Sequence, residues 1–230
     1  MTPRSAILDD DTIAIGPDLG EAAAVAILAH GRGGSPFDMR ELAVALANPA
    51  IRFIMPAAPG GAWYPERFIA PIASNEPALS RSLAGFNAIV EALLAAGVPA
   101  GDIIVGGFSQ GACLMAEFVV RHPRRYGAVL ILTGGLIGPP GTRWPAQPAL
   151  QGVPVYLTGS KTDAWVPAAR VAETERVFSA SGADVRFRMF DERAHAVGAE
   201  EIATAGALLA AWSPDKVQHG RDGRRVANDN

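Results

Sequence analysis

The chain has 230 residues, of which 49% are hydrophobic and 19% charged, and its net charge is -3 at pH 7. A chain of this length and apolar content can bury the core of one domain. The weak negative charge excludes the basic surface that holds nucleic acid or an anionic membrane, so we expect a small-molecule partner. The single cysteine, Cys113, excludes an internal disulfide and a cysteine-rich zinc site.

The sequence carries no recognisable targeting or membrane segment. The start, MTPRSAILDDD, has no apolar stretch of signal-peptide length, and no later run approaches the roughly 20 apolar residues of a membrane span. We therefore expect a cytoplasmic protein without integral membrane association. The stretch 213–230 is polar and charged, so we predict one domain over 1–212 followed by a flexible tail.

Continuous apolar runs alternate along the chain with segments of helical periodicity. Such runs are typical of parallel strands that are buried on both faces. We predict strands over 23–30, 51–58, 102–107, 127–135, 153–160 and 185–190, with a further β segment near 12–16. We predict helices that begin after Ser35, that follow the apolar stripe from Leu79 to Leu93, and that cover 110–122, 167–180 and 199–212. This order predicts an α/β fold with a mostly parallel central sheet and helices on both faces.

A serine stands at the predicted turn between a strand and a helix, in the spacing Gly107-Phe108-Ser109-Gln110-Gly111. This is the G-x-S-x-G pattern of a nucleophile elbow, in which a sharp turn leaves no room for side chains two residues before and after the serine. The helix beginning beside Ser109 also offers unpaired N–H groups and its positive dipole end to a developing anion. We therefore interpret Ser109 as a catalytic nucleophile.

A serine hydroxyl needs a base, and four histidines are available. His195 follows the strand 185–190 and should lie over the same sheet edge as Ser109, so it is predicted to be the base. The acid of such a triad lies between serine and histidine in the sequence. Asp163 follows the strand 153–160 at that edge and is predicted to be this acid. The other acids considered lie in a helix, before a strand or in the loop of His195 itself: Glu173, Glu175, Asp184, Asp191 and Glu192.

Acyl transfer also needs N–H donors for the oxyanion that forms. The backbone N–H of Gln110 is one predicted donor, because it follows the nucleophile. The glycine-rich loop HGRGG (30–34) lets a second backbone N–H approach the substrate, and we assign it to Arg32. The loop aromatics Trp63, Tyr64 and Trp165 come from the same edge and are predicted to line the substrate pocket, with ordinary loop packing as the alternative.

Together these pieces resemble the phospholipase/carboxylesterase family of the α/β-hydrolase superfamily, which includes acyl-protein thioesterases. The matching stretches within 22–212 are ILAHGRGG (27–34), GGFSQGA (106–112), DAWVP (163–167) and His195. The stretch 63–80 is similar to bacterial members labelled dienelactone-hydrolase-like, although dienelactone hydrolases use a cysteine where Ser109 stands. The resemblance implies an α/β-hydrolase fold with minimal or no lid, a Ser109-His195-Asp163 triad, and no cofactor or metal. It also implies that small carboxylic esters or thioesters are hydrolysed through an acyl-enzyme.

The residues leave two other functions open. In the first, the two glycine-rich turns hold a phosphate or nucleotide and Ser109 only donates a hydrogen bond, a site in which His195 has no role. In the second, an acyltransferase uses the same triad with an alcohol in place of water. The sequence also leaves the oligomeric state open between a monomer and a homodimer.

Overall fold

One sheet organises the part of the chain that the structure, a computed structural model, describes, which is residues 11–212. Its strands are β1 (Ile13–Ile15), β2 (Ala24–Ala29), β3 (Ile51–Met55), β4 (Ile103–Phe108), β5 (Ala128–Leu132), β6 (Pro154–Ser160) and β7 (Asp184–Phe190). They lie in the order β1-β3-β2-β4-β5-β6-β7. β1 pairs antiparallel with β3, and the other neighbours are parallel. The carboxyl ends of the six parallel strands therefore share one edge of the sheet.

Helices cover both faces of this sheet. They are α1 (Pro36–Leu46), α2 (Ala78–Ala95), α3 (Gln110–Arg121), α4 (Ala168–Ala180) and α5 (Ala199–Leu209). One hydrophobic cluster joins the sheet to α2, α3 and α4, and a second cluster joins the opposite face to α1 and α5. Because both faces are covered, all six residues of β2 are buried, which explains why its sequence, AVAILA, is apolar without alternation.

Local sequence signals set several element ends. Asp38 accepts a hydrogen bond from the Ser35 N–H at 2.7 Å, so its carboxylate satisfies a backbone donor at the start of α1. After α2, Gly97 takes a φ of 87°, a left-handed conformation that glycine adopts without strain. β3 stops at Met55 because the following residue, Pro56, has no N–H to give to a neighbouring strand.

The predicted α/β fold with a mostly parallel sheet is confirmed, and each predicted strand and helix has a counterpart. The strand predicted over 127–135 is shorter than expected and ends at Leu132, because Thr133 has a φ of 56° that breaks the extended conformation. The last helix ends at Leu209 rather than at residue 212. The predicted tail, 213–230, lies outside the described residues, so its separation from a domain over 1–212 stays a prediction.

Within the described residues, α2 is long and apolar enough, by length and composition, to cross a membrane. A core helix of a water-soluble protein meets the same criteria. The apolar stripe of α2, from Leu79 to Leu93, is buried in the hydrophobic core, whereas Arg81 and Glu91 are exposed. The helix therefore has the amphipathic distribution of a helix that covers a core.

The Phe86 ring joins α2 to the rest of the core. It is 2% exposed, and its centroid lies 5.1 Å from that of Trp63 and 6.3 Å from that of Phe118. We expect Phe86→Ala to lower the free energy of unfolding by about 3–5 kcal/mol, because it leaves a cavity among these rings. Phe37→Ala is the matched control, since Phe37 is 67% exposed and its removal should change stability by less than about 0.5 kcal/mol. Urea denaturation of both variants measures the difference, and equal losses would contradict this view of the core.

Candidate active site

Ser109 occupies a strained turn between β4 and α3. Its φ of 54° and ψ of -117° lie outside the regions that non-glycine residues usually adopt. The turn presses against the end of β2: a Cβ atom at Gly107 would lie 2.5 Å from the Ala29 carbonyl oxygen, and one at Gly111 would lie 2.1 Å from it. Glycine at these two positions therefore permits the close approach that holds Ser109 at the carboxyl edge of the sheet.

Two short contacts connect Ser109, His195 and Asp163. The His195 Nε2 atom lies 2.7 Å from Ser109 Oγ, and the His195 Nδ1 atom lies 2.7 Å from Asp163 Oδ2. A carboxylate accepts hydrogen bonds and cannot donate them, so Nδ1 carries a proton. The Nε2 atom of the neutral ring is then the acceptor for the serine hydroxyl. The structure brings together three residues that the sequence places up to 86 positions apart.

Asp163 is held as a buried carboxylate. Its side chain is fully buried, and Oδ1 accepts the backbone N–H groups of Trp165 at 2.8 Å and Val166 at 2.9 Å. Burial raises the pKa of Asp163, but the hydrogen bonds from His195 and from the two N–H groups outweigh it, so the pKa is lowered from its ordinary value. Asp163 therefore stays ionised beside the histidine.

The rival acid Asp191 lies elsewhere. Its side chain is 85% exposed and pairs with Lys161, whose Nζ atom donates to Asp191 Oδ1 at 2.6 Å. The hydrogen bond from Lys161 lowers the pKa of Asp191. Asp191 thus belongs to a surface ion pair, although it is only four residues from His195 in the sequence.

The two residues predicted to donate to the oxyanion, Arg32 and Gln110, line the same cavity as Ser109. Gln110 opens α3, so its backbone N–H has no acceptor inside the helix. Arg32 follows β2 and lines the same cavity as Ser109. Within residues 11–212, neither backbone N–H has a hydrogen-bond acceptor in the protein. Both N–H groups are therefore unpaired within this part of the chain.

The Arg32 side chain braces this loop. Its guanidinium donates to the carbonyl oxygens of Tyr64, Pro65 and Glu66 at 2.7 to 2.8 Å. The backbone adds a further tie, because the Gly33 N–H donates to the Gly61 carbonyl at 2.8 Å. The loop that carries the Arg32 N–H is thereby joined to the segment that forms one wall of the cavity.

Gln110 makes the matching connection from the other side. Its Oε1 atom accepts the Trp63 N–H at 3.1 Å, and its Nε2 group donates to the Tyr64 carbonyl at 2.8 Å. The side chain is 6% exposed, so these hydrogen bonds satisfy groups that water does not reach. Sequence reasoning used only the backbone of Gln110, because nothing in the G-x-S-x-G spacing shows where the amide reaches.

A cavity of about 420 Å³ opens at Ser109, a volume in the usual range of small-molecule sites. Charged, polar and apolar side chains line it together: Arg32, Tyr64, Pro65, Glu66, Arg67, Phe68, Ser109, Gln110, Cys113, Trp165, Val166 and His195. Among the described residues, no group of three or more His, Cys, Asp or Glu side chains is placed to hold a metal ion.

Comparison with known proteins identifies the family, since residues 11–213 match the family described as phospholipase/carboxylesterase. The chain belongs to this family. It is 31% identical to a phospholipase/carboxylesterase from Dyadobacter fermentans, whose crystal structure aligns with a TM-score of 0.82 over 89% of this chain and 100% of that one. It is 28% identical to acyl-protein thioesterase 1 of Eremothecium gossypii in an alignment of 215 positions, which covers 80% of this chain and 86% of the relative. The crystal structure of esterase PE8, 22% identical, shares the fold with a TM-score of 0.72 over 88% of this chain and 98% of that one.

Membership of the phospholipase/carboxylesterase family makes the protein a hydrolase that acts on carboxylic esters. The seven-stranded sheet with its five helices is accordingly an α/β-hydrolase fold. The resemblance that the sequence motifs indicated is confirmed.

The predicted pocket aromatics of this carboxylesterase have different positions. Tyr64 lines the cavity and is 1% exposed, and Trp165 lines it while remaining 64% exposed. Trp63 does not line the cavity, so its assignment to the pocket was wrong. Its indole N–H donates to the His30 carbonyl at 2.8 Å, and this bond together with the Phe86 contact holds the ring in the core.

Several side chains at the site were not predicted from the sequence. The Phe108 ring lies 5.2 Å from the His195 ring and supports it from the strand side. Glu66 and Arg67 add charge to the cavity wall. The only feature of the sequence that points to them is their place in the long loop 59–77, next to Trp63 and Tyr64.

The close approach at Gly111 in this carboxylesterase is directly testable. Gly111→Ala should lower the free energy of unfolding by about 2 kcal/mol or more, because the new Cβ overlaps the Ala29 carbonyl and the tight packing must shift. It should also reduce ester hydrolysis, since the turn carrying Ser109 moves with it. Gly206→Ala, in α5, is the control: its Cβ would lie at an ordinary 3.6 Å from the Leu46 oxygen, so it should stabilise by up to about 1 kcal/mol. Urea denaturation of the two variants tests this, and a Gly111→Ala protein as stable as the wild type would refute the packing argument.

Proposed function

We propose that the protein is a serine hydrolase that cleaves small carboxylic esters through an acyl-enzyme, with Ser109 as nucleophile, His195 as general base and Asp163 as the acid that orients it. The observation that carries the proposal is the pair of 2.7 Å contacts from Asp163 through His195 to Ser109, with Ser109 and His195 lining a cavity of about 420 Å³. A serine in an elbow with a histidine and a buried carboxylate is an arrangement that activates a hydroxyl group.

In the first half of the reaction, Ser109 Oγ attacks the ester carbonyl carbon while its proton passes to His195 Nε2. A C–O bond forms, and the carbonyl electrons move to the oxygen. The backbone N–H groups of Arg32 and Gln110 stabilise this oxyanion, with support from the positive end of the α3 dipole. The tetrahedral intermediate then collapses, and His195 gives its proton to the departing alcohol.

In the second half, water takes the place of the alcohol. His195 removes a proton from the water as it attacks the acyl-enzyme, and returns that proton to Ser109 Oγ when the acid product leaves. Throughout, Asp163 stays ionised and holds the Nδ1–H, so that Nε2 points to the serine and the imidazolium is stabilised when it forms. The lowered pKa of Asp163 supports this role.

The cavity favours a small substrate. Its volume of about 420 Å³ suits a small molecule. The side chains of Arg32, Glu66 and Arg67 make part of the wall charged, and a long apolar acyl chain would have to cover these charges, which is unfavourable. Thioesters remain within the proposal, because the same attack at a carbonyl expels a thiol and because relatives carry the name acyl-protein thioesterase. Comparing kcat/KM on p-nitrophenyl esters and acyl-thioesters of increasing chain length separates these substrates, and we expect a maximum at short chains.

The phosphate-binding alternative assigns no role to His195, and the contact between Nε2 and Ser109 Oγ favours the hydrolase. An acyltransferase would differ in the acceptor alone. Adding an alcohol to the ester assay tests for it, because transfer of the acyl group to the alcohol in preference to water would identify a transferase.

Replacing the nucleophile is the central test. Ser109→Ala should lower kcat for p-nitrophenyl acetate by more than about 100-fold and abolish covalent labelling by a fluorophosphonate, because the attacking atom is gone. The far-UV spectrum and melting temperature should stay close to those of the wild type, since alanine fits the same turn. Retention of more than about one hundredth of the wild-type kcat would exclude Ser109 as the nucleophile.

The choice of acid is tested by a pair of isosteric changes. Asp163→Asn should lower kcat by more than about 100-fold, because the amide oxygen would keep the Trp165 and Val166 N–H groups and the amide NH2 group would face Nδ1, which selects the wrong histidine tautomer. Asp191→Asn removes an exposed ion pair with Lys161 from the same neighbourhood and should leave kcat within about a factor of two. Initial-rate measurements decide between them, and a reversed pattern would show that Asp191 is the functional acid.

A further inference from the structure

A buried ionic network surrounds the loop that carries His195. The Arg193 guanidinium, whose side chain is 12% exposed, pairs with Glu201 of α5, whose side chain is fully buried. A second donor of the guanidinium reaches Thr133 Oγ1, at the end of β5, at 2.5 Å. We call the group formed by Arg193, Glu201 and Thr133 the clamp. Sequence reasoning did not identify these residues.

The clamp fixes the chain on both sides of His195. Before it, the Arg193 backbone N–H donates to Ser160 Oγ at 3.1 Å. After it, the Arg193 guanidinium donates to the Ala196 carbonyl at 2.7 Å, and the Gly198 N–H donates to Glu201 Oε2 at 2.8 Å. The segment 193–198 is thus held at three backbone positions, with His195 in the middle.

The same network reaches the strand that leads to Asp163. Glu201 Oε1 accepts the Thr158 hydroxyl of β6 at 2.5 Å, and Thr158 in turn accepts the Thr133 N–H at 2.9 Å. Ser160, the last residue of β6, is bonded to Arg193 and lies three residues before Asp163. The ends of β5 and β6, the start of α5 and the histidine loop therefore share one set of hydrogen bonds.

Burying a charged pair is a weak way to gain stability, because desolvation cancels most of the attraction, and an apolar pair of similar volume is often as stable. Such a pair does impose direction, since the guanidinium presents its N–H donors in a rigid planar fork that matches a carboxylate in only a few orientations. Catalysis by a serine and histidine depends on this kind of constraint, because a misplacement of about 1 Å can cost about 100-fold in rate.

We infer that Arg193, through its pairing with Glu201, is a positioning residue that sets His195 between Ser109 and Asp163. The inference rests on the proposed function of these three residues. Arg193 does not contact the reacting atoms. The clamp acts by fixing the position of the His195 loop relative to the end of β6.

The test uses paired replacement, because Arg193→Met alone leaves the Glu201 carboxylate buried without its partner. In the double variant R193M/E201M both charges are absent, and the fold should be retained with a melting temperature near that of the wild type. We expect kcat for p-nitrophenyl acetate to fall about 10- to 100-fold, with KM within about a factor of two, because orientation is lost and the cavity is not. Labelling of Ser109 by a fluorophosphonate should slow by the same factor as kcat.

The chain supplies a matched control in R188M/E200M. Arg188 of β7 pairs with Glu200 of α5, next to Glu201, and its guanidinium lies 4.8 Å from the Phe190 ring, over which Arg193 lies at 4.6 Å. These two side chains are 50% and 57% exposed, and Arg188 Nε donates to Glu200 Oε1 at 2.8 Å. The control should keep kcat within about a factor of two. Arg193→Lys, which keeps the charge beside Glu201, should recover part of the lost kcat.

Three results would overturn the inference: a folded R193M/E201M protein with kcat within about threefold of the wild type, a loss that appears in KM, or an equal loss in R188M/E200M. Failure of the proposed function looks different, because the wild-type protein itself would then not be labelled at Ser109.

Discussion

The contact between the β4–α3 turn and the end of β2 is the constraint on which the site depends. Gly107 and Gly111 both face the Ala29 carbonyl at distances that exclude a Cβ atom. With the turn seated there, Ser109 stands at the carboxyl edge of the sheet, and the Gln110 N–H lies beside the loop that follows β2. One packing contact thus positions Ser109 and the Gln110 N–H at this edge of the sheet.

The charged groups around this turn are arranged so that each buried charge has a partner. Asp163 receives three hydrogen bonds, and Glu201 receives bonds from Arg193, Thr158 and Gly198. By contrast, burial raises the pKa of the Cys113 thiol to about 12. That cysteine, one helical turn beyond Ser109, is therefore a neutral thiol packed beneath the elbow.

The long loop after β3 forms one wall of the cavity. His30 is buried, its Nε2 atom accepts the Ala58 N–H at 3.0 Å, and burial lowers its pKa. Asn75, fully buried, accepts the Glu66 N–H through Oδ1 at 2.8 Å. These bonds, with those of Arg32 and Gln110, hold a segment of little regular structure firmly enough to shape a cavity. A loop rich in Gly, Pro and aromatics can therefore be ordered by side chains that other elements supply.

The sequence by itself determined the order of strands and helices, because buried parallel strands read as continuous apolar runs and covering helices carry a single apolar stripe. It also determined Ser109, His195 and Asp163 as candidates, since the elbow has a fixed local spacing and the carboxyl ends of parallel strands must share one edge. Only the tertiary structure decided that Trp63 turns into the core, that Gln110 ties down the facing loop, and that Arg193 pairs with Glu201. The physical reason is that the final packing determines which residues distant along the chain become hydrogen-bond partners, and local periodicity in the sequence does not predict such pairs.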